Sequence, residues 1–157
     1  MLQLVLLCGS FFLALYLHLI PLLQSFVSFK PQWFILTFIY WNLSIPHRIG
    51  VLTTVGLGLL LDVVEGSTFG RHAIALLFVH FICAAGYQRF RVFTIFQQCI
   101  LIFGITGIYL ITYFWLGTLL NSMKQDITFL SGALSSAIVW PVVLLFLRSI
   151  RRRYNIK

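Results

Sequence analysis

Gly50, Thr54, Gly58, Asp62, Gly66 and Gly70 put a small or polar residue at every fourth position, with valine, leucine and phenylalanine filling most of the space between. On an α-helix, residues four apart lie on nearly one face, drifting about 40° per step. The stretch therefore predicts a helix with one side bare enough for another backbone to approach. Asp62 stands at the end of that side. A carboxylate in so apolar a segment costs about 2.5–3.5 kcal/mol at mid-bilayer on insertion scales. Donors from a neighbouring helix or from the following turn must satisfy it, and this confines the fold to closely nested helices.

The surroundings fix the solvent. Of 157 residues, 61% are hydrophobic and 9% charged, with mean hydropathy +1.01, whereas a soluble domain carries about 25% charged residues. The chain cannot cover a water-facing surface and reads as one integral membrane domain, residues 1–157, without a sizeable soluble part. Its net charge of +8 would suggest nucleic-acid binding in a soluble protein. Here Arg148, Arg151, Arg152, Arg153 and Lys157 cluster beside an apolar segment, which fits an anchor against anionic lipid and no nucleic acid. Cys8, Cys83 and Cys99 lie scattered in apolar stretches without metal or redox spacing and read as small buried hydrophobes. The apolar N-terminal run lacks a basic leader and a clear cleavage site, so it reads as a retained helix.

Hydropathy predicts six transmembrane helices in one bundle, over about 2–23, 29–45, 49–64, 71–87, 92–120 and 127–147, with a basic tail at 148–157. The second is short for a crossing of about 20 residues. Trp33 at one end and Tyr40 and Trp41 at the other suggest interfacial belts, and tilt, local thinning or a re-entrant path would accommodate it. Arg48, Arg89, Arg91 and the five C-terminal cations follow even-numbered helices, whereas Lys30, Arg71 and Lys124 follow odd-numbered ones. The positive-inside rule then places both termini in the cytoplasm.

Two constellations could carry function. Asp62 and Glu65 share a helix face, and Arg71 and His72 open the next helix after a polar turn, Glu65 to Gly70. The arrangement is either an ion, substrate or proton site or a structural cluster that pairs the carboxylates with the turn and Arg71. Position near a membrane edge and the lack of supporting chemistry favour structure. On helix six, Gly132 with Ser136 and Ala133 with Ala137 give small-xxx-small spacing, a surface for close packing within the bundle or, less often, against another chain such as a second copy. His18 and His47 are isolated in sequence, and His72 and His80, eight apart, complete no metal spacing. No nucleophile elbow, HExxH or phosphate-binding loop occurs. The residues give no catalytic group, no metal site and no cofactor.

The residues Lys30-Pro31-Gln32-Trp33, Ile39-Tyr40-Trp41, Pro46-His47-Arg48, Tyr87 to Arg91, Gln97-Gln98, Trp140-Pro141 and above all the run Gly58 to Gly70 resemble the MreD family of rod shape-determining proteins. The resemblance covers about Phe29 to the end. It implies a non-catalytic inner-membrane component of the bacterial cell-elongation machinery, with MreC, the MreB filament, and RodA with its penicillin-binding transpeptidase as partners. It also implies a fold similar to the S-components of energy-coupling-factor transporters, so a small-molecule uptake subunit is the rival reading. Gly50, Thr54, Gly58 and Asp62 are expected to form the packing ridge and Glu65, Gly66, Gly70 and Arg71 to fix its outer end. The basic turns His47-Arg48 and Arg89 to Arg91, with the arginine tail, are expected to face cytoplasmic partners.

Overall fold

The computed structural model describes residues 2–19, 31–45, 49–90, 92–120 and 129–153. They form six helices: α1 Leu2–Leu19, α2 Trp33–Ser44, α3 Val51–Glu65, α4 Arg71–Phe90, α5 Ile95–Leu120 and α6 Phe129–Arg153. Among the described residues there is no strand. Arg71–Phe90, Ile95–Leu119 and Ser131–Arg152 are long and apolar enough to cross a membrane. Each of these three keeps much of its surface free of protein, as Leu134, Ile138, Val142 and Leu145 do on α6.

The centre of the bundle is α2 rather than the glycine-rich α3. Every residue from Phe34 to Leu43 is buried, with α1, α4 and α6 packed around it. A helix that is apolar on all faces is stable where protein covers every side. This corrects the expectation of interfacial aromatics on the second segment. Trp41 is fully buried and Tyr40 nearly so, because α1, α4 and α6 cover the helix. Of the polar atoms it carries inward, the Trp41 and Asn42 nitrogens find partners, as burial favours, whereas Asn42 Oδ1 has none among the described residues. The Trp41 indole N–H donates to Ser10 Oγ at 2.8 Å, and Asn42 Nδ2 donates to His80 Nδ1 at 2.9 Å.

Helix ends shift from their expected positions for local reasons. α4 continues to Phe90, so Gln88 and Arg89 form its last turn rather than a loop. α5 begins at Ile95 instead of 92: Gln97 Oε1 accepts the Thr94 N–H at 3.1 Å, one half of a capping box that fixes the start. α6 runs through Pro141 to Arg153, so the first part of the expected basic tail is helical. α3 starts at Val51 and ends at Glu65. The expected ends of the first helix at 23 and the starts of the second and sixth at 29 and 127 lie outside the described residues.

Candidate functional site

The buried face of α3 consists of Thr54, Gly58, Leu61 and Asp62, and α4 lies against it. A Cβ placed on Gly58 would stand 2.6 Å from the Ala73 amide nitrogen and 2.9 Å from the Ala73 Cβ. Only a residue without a side chain permits this approach. Thr54 Oγ1 bonds back to the Gly50 carbonyl at 3.0 Å. Gly50 departs from the expected packing ridge: it is exposed at the N-cap of α3, and a Cβ there would meet nothing within 4 Å.

Two turns beyond Gly58, α3 ends in a tight reversal. Gly66 has φ 64° and Gly70 φ 90°, a region glycine enters without steric cost. The Ser67 N–H bonds the Asp62 carbonyl at 3.0 Å, closing the last turn of α3. Gly70, just before α4, has no side chain to cap that helix. Asp62 does so from the neighbouring helix. Its Oδ2 accepts the Gly70 N–H at 2.8 Å, and its Oδ1 accepts the His72 N–H at 2.9 Å and the Ser67 hydroxyl at 2.8 Å. The two amides are orphan donors of a helix start, and a carboxylate there also faces the positive end of the helix dipole.

Glu65 joins a second set of bonds. Its Oε1 lies 2.6 Å from His18 Nε2 and its Oε2 lies 3.0 Å from His72 Nε2. His72 Nδ1 is 2.6 Å from the Tyr109 hydroxyl. The neutral tautomer with Nε2–H donating to Glu65 and Nδ1 accepting from Tyr109 satisfies both contacts. A polar line thus crosses four helices, from His18 on α1 through Glu65 on α3 and His72 on α4 to Tyr109 on α5.

Arg71 does not join the carboxylates, contrary to the expected cluster. Its guanidinium lies 3.8 Å over the Tyr113 ring, and its Nε donates to the Tyr113 carbonyl at 2.8 Å. Gly117, one turn further, makes room for it: a Cβ at 117 would come within 3.0 Å of Arg71 Nε and closer to its other guanidinium atoms. Both Asp62 oxygens are already engaged by backbone amides and the Ser67 hydroxyl, on the side of the turn and the start of α4. The π-face of Tyr113 takes the cation instead.

The remaining candidates are spread over the molecule. On α6, Ser135 and Ser136 hydroxyls bond the Gly132 carbonyl, and Ser136 Oγ accepts the Gln32 N–H at 2.9 Å, so this patch meets the start of α2. Arg89 is exposed at the end of α4. His47, Arg48 and Arg91 lie outside the described residues. Among the described residues no three His, Cys, Asp or Glu side chains are grouped to hold a metal ion. Four members of the site escaped the sequence reading. Tyr109, Tyr113 and Gly117 are four apart on α5, a visible spacing. His18 is brought to Glu65 only by tertiary packing and left no local signal.

Glu65 bridges two helices besides its own, so Glu65→Leu, which leaves two buried imidazole N–H groups unpaired, is expected to cost about 2–4 kcal/mol. Thermal unfolding in detergent checks it, with His18→Phe giving a smaller loss. Unchanged midpoints in both variants would remove the clamp from the forces that hold α1.

The family model for rod shape-determining protein MreD matches residues 1–150. The chain belongs to the MreD family. The rod shape-determining protein MreD of Haemophilus influenzae is 32% identical over 148 residues, covering 94% of this chain and 91% of that protein. No solved structure matches the chain. Family membership and the three apolar helices make this MreD-family chain a membrane protein with a role in rod shape determination.

Proposed function

We propose that the chain is a non-catalytic scaffold of the cell-elongation complex, seated in the bacterial inner membrane as a six-span bundle with both termini in the cytoplasm. In this reading it binds MreC directly and connects it to MreB and to RodA with its penicillin-binding transpeptidase. The observation that carries the reading is the match to the MreD family over nearly the whole chain. The geometry of the polar cluster supports it. Asp62 spends both carboxylate oxygens on the turn and on α4, and Glu65 spends both on histidines. Groups so committed hold helices together. The grooves along α1 are lined almost wholly by apolar side chains, unlike the converging polar groups that an uptake subunit would use to grip a small molecule. Alternation of basic and less basic turns supports the orientation.

Purification of the full chain in mild detergent from its own cells, with mass spectrometry of bound proteins and small molecules, tests this. Recovery of MreC is expected, and rod shape should return when the chain is supplied to cells lacking it. A tightly held small molecule without any morphogenetic partner would overturn the scaffold.

A further inference from the structure

On α6 the exposed side chains recur every third or fourth residue: Leu134, Ile138, Val142, Leu145, Ser149 and Arg152. This spacing keeps them on one stripe of a helix. Four apolar side chains are followed within a turn by Ser149 and Arg152, and Arg148 flanks them, also exposed; Leu145, Arg148, Ser149 and Arg152 together line a notch. Arg151 does not belong to it. It is half-buried and lies close to Tyr40 on α2, because its place on the helix turns it toward the bundle. The helix thus sorts its arginines: one turns toward the core, and two face outward at the end of an apolar stripe.

We propose that this stripe and notch form a discrete binding site for one anionic phospholipid. Its acyl chain lies along Leu145, Val142 and Ile138, and its phosphate sits between Arg148 and Arg152 with Ser149 donating a third hydrogen bond. Charge complementarity selects this occupant. Side chains four apart on a helix lie about 5–6 Å from one another, so two guanidinium groups can reach the same phosphate, for which their planar donor pairs are suited. A zwitterionic lipid brings its own cation to the same notch and loses that advantage. The site differs from a diffuse basic anchor because it depends on which arginine is present and not on the net charge of the tail.

The test uses the purified full chain in nanodiscs, with native mass spectrometry counting retained phosphatidylglycerol against phosphatidylethanolamine. Wild-type protein is expected to retain one phosphatidylglycerol preferentially. The double variant R148Q/R152Q should weaken that retention roughly thirty-fold, the worth of two arginines close to an anionic surface, while R151Q keeps it within about twofold despite losing a charge from the same helix end. Circular dichroism confirms that each variant is folded, and R148K/R152K serves as the milder pair if the glutamine pair is not. Equal losses in R151Q and R148Q would show a diffuse field and overturn the site. Retention without preference for the anionic lipid would overturn it too, as would occupation of the stripe by a co-purified protein helix in place of lipid.

Discussion

Gly58→Ala, the addition of one methyl group, is expected to destabilise the bundle by about 2–3 kcal/mol, at the upper end of overpacking costs. The added carbon would overlap the backbone of Ala73, with the amide nitrogen only 2.6 Å away. Backbone on a packed helix cannot swing aside as a flexible side chain can. α3 and α4 would have to separate, and separation would pull Asp62 from the Gly70 and His72 amides one turn away. Gly56→Ala provides the control: it is on the same helix, and a Cβ there meets nothing within 4 Å. That change should be neutral or stabilising by up to about 1 kcal/mol, because alanine exceeds glycine in helix propensity. Thermal unfolding of the purified variants separates them. Equal midpoints for Gly58→Ala and wild type would show that the crossing is looser than the contact requires.

The contrast between these two glycines shows what a sequence can and cannot carry. Fourfold spacing singled out Gly58 and Asp62, whose neighbours arise from a short turn in the same hairpin. The same spacing also singled out Gly50, which lies exposed at the helix start, because periodicity alone does not say where a neighbouring helix crosses. All-helical architecture was legible from long apolar runs. The central place of α2 was not, since a short apolar run reads alike whether lipid or protein surrounds it, and its aromatics mimicked an interfacial belt. The partner of Arg71 was likewise out of reach. Charge alone pointed to Asp62 and Glu65, but Asp62 is engaged by two nearby amides and the Ser67 hydroxyl, and Glu65 by two histidines, one of them 47 positions away in the chain.

Asp62→Leu should have the largest effect of any single change in the polar cluster, about 3–5 kcal/mol, since removing a hub strands several buried donors together. The Ser67 hydroxyl, the Gly70 N–H and the His72 N–H all lose their acceptor, and no side chain at Gly70 can replace it. Asp62→Asn tests the account more finely. With its carbonyl at the Oδ1 position it keeps Ser67 and His72, but its amide nitrogen then meets the Gly70 N–H, donor against donor. A loss of about 1–2 kcal/mol is expected, one interaction out of three. The predicted order of melting midpoints is therefore wild type, then Asp62→Asn, then Asp62→Leu. Cell shape adds an independent readout. If the carboxylate serves the bundle, rod shape should fail in proportion to the loss of accumulated protein, and restoring the amount by stronger expression should restore the rods. Full accumulation with persistent rounding would transfer Asp62 to a partner's interface. Wild-type accumulation together with wild-type shape in Asp62→Leu would refute both roles, and with them the idea that this carboxylate caps α4 from across the hairpin.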